Sequence, residues 1–178
     1  RLLVPTVGLE LAELYPRTLE LTFGLSMVSF GVGFFLFLFV GGLVYHRYVY
    51  HELPMARLAP TIFIGTAPTA IIAVILFKMM HLFESLDVLG INPQVFSPLA
   101  KIAILLCWGF STWWMVMACA VVLHYIRHLD LPYALTWWAF TFPSGALSIA
   151  SAIAWKISLF PSLFYFFCLT VIWLLAVW

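Results

Sequence analysis

The chain has 178 residues, of which 65% are hydrophobic and only 8% charged, with a formal net charge of +1. A soluble domain carries about a quarter of its residues charged, so composition excludes that class and indicates an all-α polytopic membrane protein. No basic run offers phosphates a grip, so a nucleic-acid partner is not expected.

In chain order, residues 2–12 have the pattern of a helix tail. Arg1 stands where a starting Met would, so the chain is expected to be a piece of a longer one. Glu13 to Arg17, with Pro16, reads as a turn. Leu19 to about Tyr45 is an apolar run long enough to span a bilayer, for which about 20 residues suffice. His46 to Arg57 reads as a polar loop. Pro60 suits the first turn of the next helix, which runs to about Met80 and contains Pro68. Glu84 to Ser97 reads as a loop. Ser97-Pro98 has the chemistry of an N-cap and first helical residue, and a helix follows to about Tyr125. Residues 132–156 form the next span, and Leu159 to Trp178 the last. The expectation is a single transmembrane domain over 1–178, with one partial and five full spans. Its short connections make consecutive helices antiparallel neighbours.

Three segments align on a proline: Val4-Pro5-Thr6, Ala67-Pro68-Thr69 and Phe142-Pro143-Ser144. After each comes a helix without a central proline. The repeated unit is therefore a hairpin of one kinked and one straight helix. In the 132–156 span, Thr141, Ser144, Gly145, Ser148 and Ala152 share a helical stripe. Thr66, Thr69, Ala70, Ala73 and Phe77 form the corresponding stripe in the earlier kinked helix. Small and hydroxylated stripes suit another helix or water better than acyl chains. A neighbouring Ser or Thr can donate to the carbonyl that each proline frees. These features favour an inner ring of kinked helices around a central pore, with straighter outer helices. Helix-on-helix packing alone also explains the stripes. Phe142 lies at the edge of its stripe, where its ring either projects into such a path or, like most of the chain's 17 Phe, packs or faces lipid.

The stretch Trp137-Trp138-Ala139-Phe140-Thr141-Phe142-Pro143-Ser144-Gly145 resembles the tellurite-resistance/dicarboxylate transporter family, which includes bacterial TehA-type and plant slow-anion-channel-type channels. Leu53-Pro54 through Pro60-Thr61, with Phe63-Ile64 and Ala67-Pro68, is similar to a second segment of that family. Val4-Pro5-Thr6-Val7-Gly8 is similar to a third. The resemblance implies ten membrane helices in five hairpins around a pore, usually as a homotrimer, with this chain as the C-terminal half. It implies that Phe142 is the pore gate and that Pro5, Pro68 and Pro143 bend inner helices. The expected pore lining is then Pro5, Gly8, Thr66, Pro68, Thr69, Ala73, Thr141, Pro143, Ser144, Gly145 and Ser148.

Lys78 and Lys156 sit near helix ends and are read as snorkelling to the interface. No other cation marks a tight anion site on either stripe, which favours rapid permeation of small inorganic or carboxylate anions past hydroxyl donors. His124 and His128 are spaced for a metal or haem but read as interfacial, like His46 and His51. Cys107, Cys119 and Cys168 lie in apolar runs and read as packing residues. No catalytic motif, cofactor or metal site is expected. Loop charge, together with the resemblance, places 46–57 and 126–131 in the cytoplasm, in a multi-pass protein of the plasma (inner) membrane. The leading expectation is an anion channel or passive transporter. The alternatives are a proton-coupled C4-dicarboxylate or sulfite carrier, a haem- or quinone-binding redox subunit, and a structural subunit.

Overall fold

The computed structural model describes residues 2–52, 54–85, 90–128 and 135–158, with 162, 165–166 and 168–172 beyond them. Five α-helices follow one another: α1 (Leu3–Leu14), α2 (Leu19–Tyr50), α3 (Thr66–Ser85), α4 (Pro93–His128) and α5 (Trp138–Ser158). Short 3-10 segments over Pro16–Thr18, Ala56–Gly65 and Leu135–Trp137 precede α2, α3 and α5. Among the described residues, Leu19–Tyr50, Ala56–Ser85 and Pro93–His128 are long and apolar enough to cross a membrane. The expected last span, 159–178, lies largely outside the described residues. Phe166 does pack edge-on against Trp108, with ring centroids 5.3 Å apart.

α3 is the centre. It contacts α1, α4 and α5, while α2 packs on α1. Ala67, Ala70, Ile72, Ala73 and Ile75 are all buried, as befits a helix apolar around its whole circumference. Leu9, Ala12 and Phe23 meet Ala67, Ile71 and Ile75 in one core cluster, which joins the first hairpin to α3. Ala70, Ala73, Ile104, Ala150 and Ile153 form another, which joins α3 to α4 and α5. The helices of the three aligned prolines, α1, α3 and α5, are therefore neighbours in a row.

Close approach needs small residues at two crossings. A β-carbon on Gly8 would be driven into the Ser26 hydroxyl of α2, and one on Gly65 into the Trp114 indole of α4. Trp114 Nε1 uses that approach to donate to the Ile62 carbonyl at 2.8 Å. This satisfies an acceptor in the 3-10 turn that feeds α3.

Several element boundaries differ from the sequence expectation. α2 runs on to Tyr50, and His51 N still donates to the Arg47 carbonyl at 3.0 Å. The polar onset at His46 therefore marks a change of solvent, not of backbone; no helix breaker occurs before Pro54. Pro60 lies inside the 3-10 segment rather than in a first α-turn. α3 continues past Met80 to Ser85. α4 starts at Pro93, not Pro98, because Asn92-Pro93 offers the same cap chemistry earlier. Asn92 Oδ1 accepts from Gln94 N at 2.9 Å, and Pro98 removes only a bond to the carbonyl of exposed Gln94. Pro68 is the third residue of α3, directly after the 3-10 segment, so it marks a change of helix type rather than a mid-helix break.

One ion pair ties the row at its far end: Lys78 of α3 donates to the Glu10 carboxylate of α1. The Tyr125 hydroxyl donates to the Pro54 carbonyl and pins the segment before α3 to α4.

Two stability measurements follow. Gly65→Ala overpacks the Trp114 contact and should cost about 1–3 kcal/mol, while Trp114→Phe keeps the ring, loses the donor and should cost about 1 kcal/mol. Thermal unfolding in detergent reads both, and a Gly65→Ala melting point equal to wild type contradicts the packing described. Glu10→Lys should lower the same melting point, and adding Lys78→Glu should recover it. Glu10 is largely exposed, so about 1 kcal/mol or less is at stake.

Candidate functional site

α5 has two faces. Ala139, Phe140, Pro143, Leu147, Ala150, Ser151 and Ala154 are buried against its neighbours. Trp138, Phe142, Ile149 and Lys156 stand on the uncovered face, with Gly145 and Ala152 half-buried between them. The division follows from helical spacing: 138, 142, 145, 149, 152 and 156 recur every three or four residues. Phe142 is 51% exposed, although its neighbours Phe140 and Pro143 are buried. A β-carbon on Gly145, one turn further on, would meet nothing within 4 Å. Phe142 thus stands beside open space.

The Phe142 ring lines a groove of 1280 Å³. The groove also takes in Leu2 of α1, Gly33 and Phe37 of α2, Gly65 of the 3-10 segment, and Pro68 and Thr69 of α3. Its walls are overwhelmingly apolar. A second cavity of 330 Å³ is lined by Phe77, Ser148, Ile149, Ala152, Ile153 and Lys156. Lys156 Nζ lies 5.4 Å from the centroid of the Phe77 ring.

The residues singled out by sequence fall into separate places. Pro68, Thr69 and Phe142 come together at the groove, and Ser148 reaches the smaller cavity. Thr141 and Gly145 are half-buried. Pro5, Thr66, Ala73, Pro143 and Ser144 are buried between helices. Gly8 is seated on Ser26. Within α5 the hydroxyls are turned inward to the backbone: Ser144 donates to the Phe140 carbonyl at 2.5 Å, Ser148 to Ser144 at 2.9 Å and Ser151 to Leu147 at 2.8 Å. Each bond is to the residue four earlier, the usual resource of Ser in an apolar helix. Ser144 therefore serves the Phe140 carbonyl, three residues before Pro143.

Three residues that shape the site were missed in the sequence. Ser111 of α4 lies 2.6 Å from Thr69 Oγ1, oxygen to oxygen, and donates to the Thr66 carbonyl at 3.3 Å. Trp114, one turn on, serves Ile62. The available signal was their spacing: Ile104, Ser111, Trp114 and Ala118 share the buried face of α4. Lys156, expected to snorkel to the interface, has an aromatic partner, Phe77, on another helix, which spacing within α5 does not reveal. Thr66 Oγ1 is buried and, among the described residues, without a hydrogen-bond partner.

His46, His51, His124 and His128 lie where α2 and α4 finish, while His81 lies near the end of α3. His124 and His128 stack with centroids 4.7 Å apart, and His128 Nδ1 lies 3.1 Å from the His124 carbonyl. His46, Arg47, Tyr50, His51 and Glu52 line a polar recess there. Among the described residues no three His, Cys, Asp or Glu side chains are grouped to hold a metal ion.

Comparison with known proteins adds identity to this geometry. Two Methanocaldococcus jannaschii proteins, named uncharacterized transporters MJ0576 and MJ0762, are 34% and 33% identical to the chain over 165 residues. The match covers 86% of this chain in both cases, but 45% and 46% of those proteins, so the chain spans less than half the length of these relatives. No solved structure matches the chain. The voltage-dependent anion channel family, SLAC1, matches residues 2–178. A membrane-spanning set of helices and a family match over nearly the whole chain lead to one conclusion: this chain belongs to the voltage-dependent anion channel family.

Proposed function

We propose that this chain forms part of the wall of a path for small anions through the membrane, and that Phe142 closes that path. The observation that carries the reading is the state of the Phe142 ring. It stands half exposed on the uncovered face of α5 with Trp138, Ile149 and Lys156, beside the open space at Gly145, while Phe140, Pro143 and Leu147 on the opposite face are buried. A lone benzyl group in that position is poorly explained by core packing, because Phe140 and Leu147 already fill the core side.

The physics of closure is simple. An apolar ring in a narrow apolar passage excludes water, and an anion without water there has lost its hydration with nothing in exchange. Such a constriction gates by dewetting. Small and hydroxylated neighbours at Gly145 and Thr69 leave room for a wet passage once the ring is removed or displaced. In this reading the protein is a passive channel in the plasma membrane, and the homotrimer is carried over from the family resemblance. The anion itself is specified only as small and inorganic or carboxylate. A proton-coupled carrier of the same family would instead show saturable, proton-dependent flux.

Anion current through the full-length protein, wild type against Phe142→Ala, tests the reading. Lowering a barrier by about 1.4 kcal/mol raises a rate tenfold, so the Ala variant should increase current by about tenfold or more. Phe142→Leu, which keeps an apolar but smaller group, should fall between. Equal currents in all three, at equal surface expression, overturn the gate.

A further inference from the structure

We propose that Lys156, held over the Phe77 ring, is an anion-recruiting site at one mouth of the path. The proposal rests on the channel reading above and adds to it the group that meets the ion before the constriction does.

Lys156 and Phe142 are fourteen positions apart on α5. At 1.5 Å and 100° per residue they lie about 21 Å apart along the axis and within about 40° of the same face. Lys156 therefore stands on the face that carries the plug, about two-thirds of the helix length away. Its Nζ lies 5.4 Å from the centroid of the Phe77 ring on α3. The ring is itself fixed by an edge-on contact with His81, with centroids 4.5 Å apart. A cation over an aromatic face is held in place without being neutralised. Its remaining N–H donors stay available to a ligand.

The other lysine of this region behaves differently. Lys78, next to Phe77 in α3, donates to the Glu10 carboxylate, so its charge is cancelled within the protein. No carboxylate lines the cavity at Lys156, and no ion pair to Lys156 is found among the described residues. The two neighbouring cations thus divide their tasks. Lys78 clamps α1 to α3, and among the described residues no carboxylate pairs with Lys156.

The cavity suits a small, partly hydrated anion. It measures 330 Å³ and is floored by Ser148 and Ala152, the small residues of the α5 stripe. Ile149 and Ile153 make the rest of its wall apolar, so Lys156 is the charged group in its lining. Lysine is a point charge without the planar fork of arginine, so it attracts any small anion and holds none tightly. A site of that kind raises local anion concentration and lets the ion leave, as conduction requires. The same chemistry would accept a lipid headgroup phosphate, and the test separates the two sources.

The full-length protein carrying Phe142→Ala, whose path is open under this reading, is recorded in chloride at about 10 mM and about 500 mM, conditions that differ strongly in charge screening. Lys156→Gln should lower current several-fold in the dilute solution and by less than about twofold in the concentrated one. Lys156→Glu should lower it further and shift the reversal potential toward cations, while Lys156→Arg should retain the wild-type concentration dependence. Phe77→Leu, which removes the ring and keeps the charge, should weaken the dilute-solution advantage. If Phe142→Ala conducts and Lys156→Gln leaves the concentration dependence unchanged, Lys156 is a headgroup anchor, and this proposal is overturned while the channel reading stands. If no variant conducts at equal surface expression, both fall.

Discussion

In hydrocarbon, every backbone donor and acceptor must find its partner inside the protein, and the structure turns on how this chain meets that demand around α3. The helix is entered through a 3-10 segment and carries Pro68 in its first turn. Carbonyls there are served by α4: Trp114 donates to Ile62, and Ser111 donates to Thr66 while pairing with Thr69. Gly65 leaves the room that the indole requires. Proline, glycine and the two α4 donors are thus one device. Because it fastens α4 firmly to α3, the opposite sides of α3 are left to meet α1 and α5.

That arrangement decides which side of α5 is left uncovered. Phe140 packs on Phe63 of the 3-10 segment, edge to face at 4.7 Å, and Ala150 and Ile153 pack on α3 and α4. With those positions committed, helical spacing forces Phe142, Ile149 and Lys156 onto the remaining face. A ring and an ammonium on one face of one helix have different electrostatic characters. The ring repels a desolvated ion and the ammonium attracts a solvated one. Under the proposed channel reading, their separation along the helix lets both effects act on the same anion in turn. Serine chemistry agrees with this division, since Ser144, Ser148 and Ser151 spend their donors on their own helix. Polarity at this surface therefore comes from Lys156 and from positions of small size, more than from a ladder of free hydroxyls.

Much of this was legible beforehand because apolar runs and prolines act locally. The stripes of α3 and α5 and the place of Phe142 beside one of them follow from spacing within one helix, while the role given to Phe142 came from the resemblance. The errors have a common origin. α2 was ended at the change from apolar to polar residues, although membrane helices extend into water until a breaker stops them. α4 was started at Ser97-Pro98, although Asn92-Pro93 carries equivalent chemistry one turn earlier and Asn92 caps the helix. Composition reports the solvent around a residue, and backbone hydrogen bonding does not have to change where the solvent does.

By itself the sequence determined that this is an all-α membrane protein and that certain residues share a stripe. These are properties of a single helix in a single solvent, which periodicity and composition report directly. Only the tertiary structure decided which stripe is covered: that Ser144 is packed while Phe142 is not, that Ser111 is the partner of Thr69, and that Lys156 rests on Phe77 while Lys78 is cancelled by Glu10. Periodicity states which side chains point the same way, but contact between residues on different helices depends on how those helices are packed, and no single segment encodes that.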